Sequence, residues 1–363
     1  MISQQNIQEA CQKLVLPHHP ALGAAHFSAE GSGNHWHLTL TLPYLCEAEG
    51  ELGEQALRAS VLQQLASCLP DHQLTLTVVH AIAAHAVKVG VARLANIKNI
   101  IAVASAKGGV GKSTTAVNLA LALVKGGAKV GLLDADIYGP SVPLMLGLQG
   151  VTPIVTADKK FIPLEKYGLK VMSIGLLVSD EKAMIWRGPM ASQAFNQLIS
   201  DTAWGELDYL VVDMPPGTGD IQLTLSQKVP VTGVVMVTTP QDLALADVRK
   251  GVAMFEKVDL PILGMVENMS THICSACQHE EAIFGTGGAQ KMAAQLGLNI
   301  LAEMPLALQI RSDIDDGCPT VAQTMPTIFA QKYQLMARQV ALLIAAKPKD
   351  YASKLSSIPI KKI

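Results

Sequence analysis

Residues 105–115 read Ser-Ala-Lys-Gly-Gly-Val-Gly-Lys-Ser-Thr-Thr, and no other stretch limits the fold as tightly. Gly108, Gly109 and Gly111 let the backbone wrap closely and turn its N–H groups inward, which makes a concave cradle for anionic oxygens running from Gly108 through Val110 to Thr114. Lys112 adds a point charge for outer phosphates, and Ser113 a hydroxyl for a magnesium ion. A helix starting here points its positive end at the same place. The strict phosphate-loop pattern has Gly where this chain has Ala106, and Lys107 sits just ahead of the glycines. The simpler alternative is a glycine-rich turn between a strand and a helix.

The flanks favour the phosphate loop. Residues 99–104, Asn-Ile-Ile-Ala-Val-Ala, form the short apolar run expected of a parallel strand covered on both faces. Residues 114–124 carry Ala and Leu at helical spacing without Pro or Gly. Beyond them, apolar strand candidates at 129–134, 169–174, 209–213, 233–238 and 262–267 alternate with helical stretches such as 191–200, 243–258 and 325–346. This alternation predicts an α/β fold: a doubly wound, mostly parallel sheet with ligands at the carboxyl ends of its strands.

A chain of 363 residues is long for one domain. Residues 1–95 read as a small α+β domain with helices at 7–16 and 51–69 and alternating strands at 36–42 and 74–79, joined through 92–98 to a unit over 96–346. Residues 347–363, with two prolines and five lysines, read as a loose tail. His35 and His37 flank Trp36 without nearby Cys or carboxylates and read as solvent-facing strand residues. Cys11, Cys46 and Cys68 read as small core residues, and Cys318 as a turn residue. A net charge of −2 gives no electrostatic reason to expect nucleic acid or an anionic membrane as partner. There is no signal-peptide pattern at the start and no run of about twenty apolar residues. Six scattered cysteines suggest reduced thiols, so the expected location is the cytoplasm.

Nucleotide hydrolysis also needs a carboxylate for the magnesium shell and a group that orients the attacking water. Asp213 ends Leu-Val-Val-Asp and precedes Met-Pro-Pro-Gly, which cannot start a helix at once, so it suits the shell. Asp134 and Asp136 end another strand and lead into a Gly-Pro turn. Asp136 is assigned to positioning water and Asp134 to supporting the metal shell; ordinary strand-end turn residues are the alternative for Asp134.

Cys274-Ser-Ala-Cys277 is a two-pronged thiolate chelator, a spacing that also occurs in redox disulfides. Zinc and iron–sulfur sites want about four protein ligands, and the chain holds no second such pair. His272 and His279 could complete a zinc site within one chain. Otherwise two copies must each give two sulfurs, placing the group on a symmetry axis.

The glycine loop, Asp-Met-Pro-Pro-Gly-Thr-Gly-Asp, Thr-Thr-Pro-Gln-Asp, Glu-Asn-Met-Ser and Cys-x-x-Cys occur in order. In this the chain resembles the Mrp-type iron–sulfur cluster carriers, which belong to the MinD-like ATPases with a deviant phosphate loop; the resemblance covers roughly residues 95–345. It implies a P-loop ATPase that binds ATP and Mg2+, with Lys107 reaching across a homodimer to the partner's nucleotide. It further implies that Cys274 and Cys277 bind a bridging [4Fe–4S] cluster, that Asn268 recognises adenine and that the segment around Pro305 lines the base. Apo iron–sulfur proteins would be the acceptors. Residues 1–95 are similar to the small MIP18-like domain, without its acidic-Pro signature near residues 16–22, and Gln278 stands where relatives commonly have Gly.

Two alternatives belong to other classes. A MinD/ParA-like positioning ATPase on membrane or DNA would carry a terminal amphipathic helix or a basic face, but here Pro348 and Pro359 break the lysine-bearing tail. An electron-donating ATPase resembling nitrogenase reductase would have its cluster cysteines far apart in sequence.

Overall fold

The computed structural model describes residues 3–16, 22, 24–44, 53–70, 72–88, 90–177, 188–277, 279–325 and 327–350. The N-terminal part contains α1 (Gln4–Gln12), β1 (Phe27–Ser32), β2 (His35–Leu42), α2 (Glu54–Cys68) and β3 (Gln73–His80). β1 pairs antiparallel and β3 parallel with β2. The period of two places Trp36, Leu38, Leu40 and Leu42 inside, with His35 and His37 exposed. α2 turns Leu57, Val61 and Leu65 inward, one residue every four. Cys11 is buried in this core, and burial pushes its thiol up to about 11. Cys68 is exposed, contrary to its expected core position, at the last residue of α2. Cys46 lies outside the described residues.

The chain then runs through β4 (Ile97–Ala104), α3 (Lys112–Lys125), β5 (Val130–Asp134), α4 (Val142–Met145), β6 (Leu164–Lys166), β7 (Leu169–Ser173), α5 (Gly188–Asp201), β8 (Leu207–Asp213) and α6 (Asp220–Lys228). It continues through β9 (Gly233–Thr238), α7 (Asp242–Lys257), β10 (Ile262–Ile273), β11 (Glu280–Glu281), α8 (Gly288–Leu296), β12 (Ile300–Ala307), α9 (Leu308–Asp315) and α10 (Ile328–Ala345). Across the sheet the order is β12-β10-β9-β4-β8-β5-β7-β6. Pairing is parallel from β12 to β7, β6 is antiparallel at the edge, and β11 folds back on the end of β10. Alternate residues of each central strand feed opposite cores. Ile101, Val103, Leu132 and Val211 share a layer with α3 and α10, while Ile100, Ala102, Leu133 and Val212 share one with α5, α7 and α8.

The doubly wound, mostly parallel sheet expected from the sequence is the sheet found. Sequence patterning misses β1, β6, β11 and β12, and it stops β10 at Glu267, six residues early. The start of the C-terminal segment is not loose. Ala86 N–H donates to Pro348 O (2.9 Å), Asp350 N–H to Ala84 O (2.9 Å), and Arg93 pairs with Asp350 at 2.7 Å. Behind this ladder, His85 is wholly buried with Nδ1 3.1 Å from Asn99 Oδ1. Burial lowers its pKa first, with Lys349, Lys347 and Arg93 adding to the effect. Residues 351–363 lie outside the described residues. Among the described residues no helix is long and apolar enough to cross a membrane.

Candidate nucleotide site and cysteine hairpin

The carboxyl ends of β4, β5 and β8 meet at the glycine loop, and β10 passes it at Asn268. Gly109 (φ 78°) and Gly111 (φ 81°) hold left-handed backbone that side chains rarely adopt. Space at Gly111 is also exhausted: a Cβ there would lie 2.1 Å from Asn268 Nδ2. α3 starts at Lys112 with Gly111 as its cap and no side chain bonded to its first N–H groups. Those donors and the helix dipole therefore face the cradle. Ser105 Oγ donates to Lys107 O (2.9 Å), and Thr115 Oγ1 to Gly111 O (2.9 Å), which closes the loop at both ends. The Lys107 side chain is exposed.

Lys112 is 5% exposed, and its Nζ lies 2.5 Å from Asp213 Oδ1, 3.7 Å from Asp136 Oδ2 and 3.2 Å from Ser113 Oγ. Asp213 ends β8 fully buried, and its Oδ2 has no hydrogen-bond partner. Asp134 is also fully buried. Its Oδ1 accepts from Asp136 N–H (3.1 Å), and its Oδ2 from Val142 N–H (3.2 Å) and Ser173 Oγ (3.0 Å). Burial, and then the Asp213 carboxylate, push Asp134 up to about 7 against the pull of Lys112. Burial also raises Asp136, again opposed by Lys112. Three carboxylates thus converge on one lysine. The unpartnered Asp213 Oδ2 and the nearby Ser113 hydroxyl fit a divalent cation, which would restore the missing positive charge.

Asp134, expected to support the metal shell, holds the loop over residues 136–142 and the Ser173 hydroxyl through its hydrogen bonds, so its direct contacts position Asp136. Ser173, at the end of β7, completes that arrangement by also accepting from Gly175 N–H (3.0 Å). Sequence reasoning missed Ser173, since only its place at a strand end pointed to it.

Asn268 donates from Nδ2 to Val110 O (2.9 Å), so β10 supports the loop directly. Its register partner on β12 is Met304, which places Pro305 one residue further along. β12 pairs with β10 alone, and an edge strand tolerates a proline. Beyond Asn268, β10 continues into a hairpin in which His272 and Ile273 pair with Glu281 and Glu280. Cys274 N–H donates to His279 O (2.9 Å), so Cys274 and Cys277 bracket the tight turn. Cys274 is half-buried and Cys277 exposed. The N–H groups of Cys277 and Ala276 face the Cys274 sulfur and hold its pKa below the usual thiol value. Among the described residues no three His, Cys, Asp or Glu side chains converge to hold a metal ion, so His272 and His279 do not complete a set with the cysteines. His272 Nδ1 instead lies 3.2 Å from Leu306 O.

A parallel sheet with a glycine loop, a lysine at the following helix start and carboxylates on neighbouring strand ends defines a P-loop NTPase. A family model described as ParA, NUBPL iron-transfer P-loop NTPase, matches residues 96–341, and the chain belongs to that family. An iron-sulfur cluster carrier protein of Pseudomonas fragi is 58% identical over 257 residues, 70% of this chain and 90% of that one. A protein of the same description from Escherichia coli K12 is 51% identical over 305 residues, 84% of this chain and 82% of that one. Among solved structures, a nucleotide-binding protein from Archaeoglobus fulgidus in complex with ADP is 38% identical with a TM-score of 0.57, over 65% of this chain and 94% of that one. The cell division ATPase MinD of Pyrococcus furiosus, at 20% identity and TM-score 0.51 over 67% of this chain and 98% of that one, shares the fold.

Proposed function

We propose that this chain is a cytoplasmic, ATP-dependent iron–sulfur cluster carrier that works as a homodimer and passes its cluster to apo iron–sulfur proteins. The carrying observation is the hairpin of Cys274 and Cys277, which presents two accessible sulfurs at the end of the strand that also supports the phosphate loop. Two sulfurs are half of the donor set of a [4Fe–4S] cluster, so a second copy supplies the rest. Exposed thiolates exchange readily, which suits cargo.

In this reading Lys112 leaves Asp213 for the ATP phosphates, Asp213 and Ser113 hold the magnesium shell, and Asp136 orients the attacking water with Asp134 holding its loop. Magnesium, when bound, supplies charge neutralisation at the phosphates. Asn268 and the segment around Pro305 receive the adenine, and Lys107 reaches the nucleotide of the other copy. Closing of the dimer on ATP and reopening after hydrolysis then governs release of the cluster. The kinship to proteins described as cluster carriers supports this assignment.

Anaerobic incubation with iron and sulfide, followed by absorbance spectra and mass, tests it. One [4Fe–4S] cluster per two chains is expected, and the Cys274→Ala, Cys277→Ala double variant should bind nucleotide but no cluster. A colourless, zinc-loaded monomer refutes the reading.

A further inference from the structure

Between the residue that touches the phosphate loop and the first cysteine lie only five residues, and they are not regular strand. β10 pairs Asn268 with Met304 and His272 with Leu306, so four steps on β10 span two on β12. The excess is a bulge, and Met269 within it takes φ 59°, a left-handed conformation that a non-glycine side chain disfavours. The bulge is tied at both ends. Asn268 bonds Val110 O on the loop side, while Ser270 Oγ donates to Met304 O (3.1 Å) and His272 lies against Leu306 O on the hairpin side. At the loop end the Asn268 amide occupies the space a side chain at Gly111 would need. Backbone held in a sparsely populated region by its surroundings can switch when those surroundings change.

Resting on the carrier reading, we infer that the bulge over residues 268–272 couples the two halves of the molecule: occupancy of the phosphate loop shifts Val110 and Asn268, and the Met269 bulge passes that shift to Cys274 and Cys277. The bulge is then a two-state element that both sites bias, so the effect must be reciprocal.

Accessibility of the two thiols in cluster-free protein reads the coupling without reference to cluster transfer. The full chain is pulse-labelled with a haloacetamide in the presence and absence of Mg2+ and ATP or ADP, and labelling of Cys274 and Cys277 is quantified by peptide mass, with exposed Cys68 as internal reference. Wild-type labelling should change at least threefold with nucleotide. Met269→Gly, which accepts the left-handed backbone without constraint, and Ser270→Ala, which unties the bulge from β12, should each bring that ratio close to one. Nucleotide affinity should stay within about twofold and the melting transition should remain cooperative. No nucleotide effect on wild-type labelling overturns the inference, and so does an undiminished effect in both variants. Neither result touches the carrier reading, which stands or falls on cluster uptake.

Discussion

Replacing Lys112 with alanine should destabilise the protein before any nucleotide is considered. The lysine is 5% exposed and is the cation 2.5 Å from Asp213 and 3.7 Å from Asp136, with Asp134 buried beyond them. Removing one partner of a buried pair leaves an uncompensated charge and costs about 3–5 kcal/mol. The cost must depend on pH in a definite direction. Asp134 rises from 3.8 to about 7 on folding, so the folded state is penalised progressively as pH climbs from about 4 to about 7 and constantly above that. Lys112 opposes this rise, so its loss widens the window. The gap between wild type and Lys112→Ala should be small at pH 5, where Asp134 and Asp136 can take up protons, and reach the full value at pH 8. Urea denaturation of protein freed of nucleotide and metal, at both pH values, measures it. The Lys112→Met, Asp213→Asn double variant should recover more than half of the loss at pH 8, since two neutral groups then replace a broken pair. An equal gap at pH 5 and pH 8, or a loss below about 1 kcal/mol at pH 8, would refute the view that this lysine holds the carboxylates together.

Other perturbations test separate parts of the site. Ser173→Ala removes a hydroxyl donor from Asp134 and should lower the kcat of ATP hydrolysis about tenfold with KM within twofold, because the hydroxyl acts through the loop that carries Asp136; a change in KM alone counts against it. Gly111→Ala forces a Cβ to within 2.1 Å of Asn268 at φ 81°, so nucleotide binding should be lost and stability should fall by about 1–3 kcal/mol, as read by titration and thermal melting. Cys274 should be alkylated appreciably at pH values below the ordinary thiol range, and that advantage should vanish in urea, where the Cys277 and Ala276 N–H groups no longer face its sulfur.

Much of the nucleotide-binding unit was legible in the sequence because strands buried on both faces are continuous apolar runs. β5, β7, β8 and β9 lie within a few residues of their expected places for that reason. The strands that escaped notice lack the signal. β1 reads Phe-Ser-Ala-Glu-Gly-Ser, β12 contains Pro305, and the far half of β10 is the polar run Asn-Met-Ser-Thr-His. They are strands because a neighbour's ladder is available, which is a property of the assembled sheet.

The sequence alone determined the local chemistry: a loop whose left-handed turns at 109 and 111 favour glycine, a lysine and serine at a helix start, aspartates at strand ends, and two cysteines close enough to share one ion. Each is set by contacts within a few residues, so spacing reveals it. Tertiary structure decided what those groups do to one another. It brought Asp213 to Lys112 across 101 positions of chain, joined Ser173 to Asp134 across 39, and laid Asn268 against Val110 across 158. It also led the strand from that contact through a bulge to the cysteines. Partners so distant in sequence meet only when strands take their order in the sheet, and burial then sets the strength of their charges.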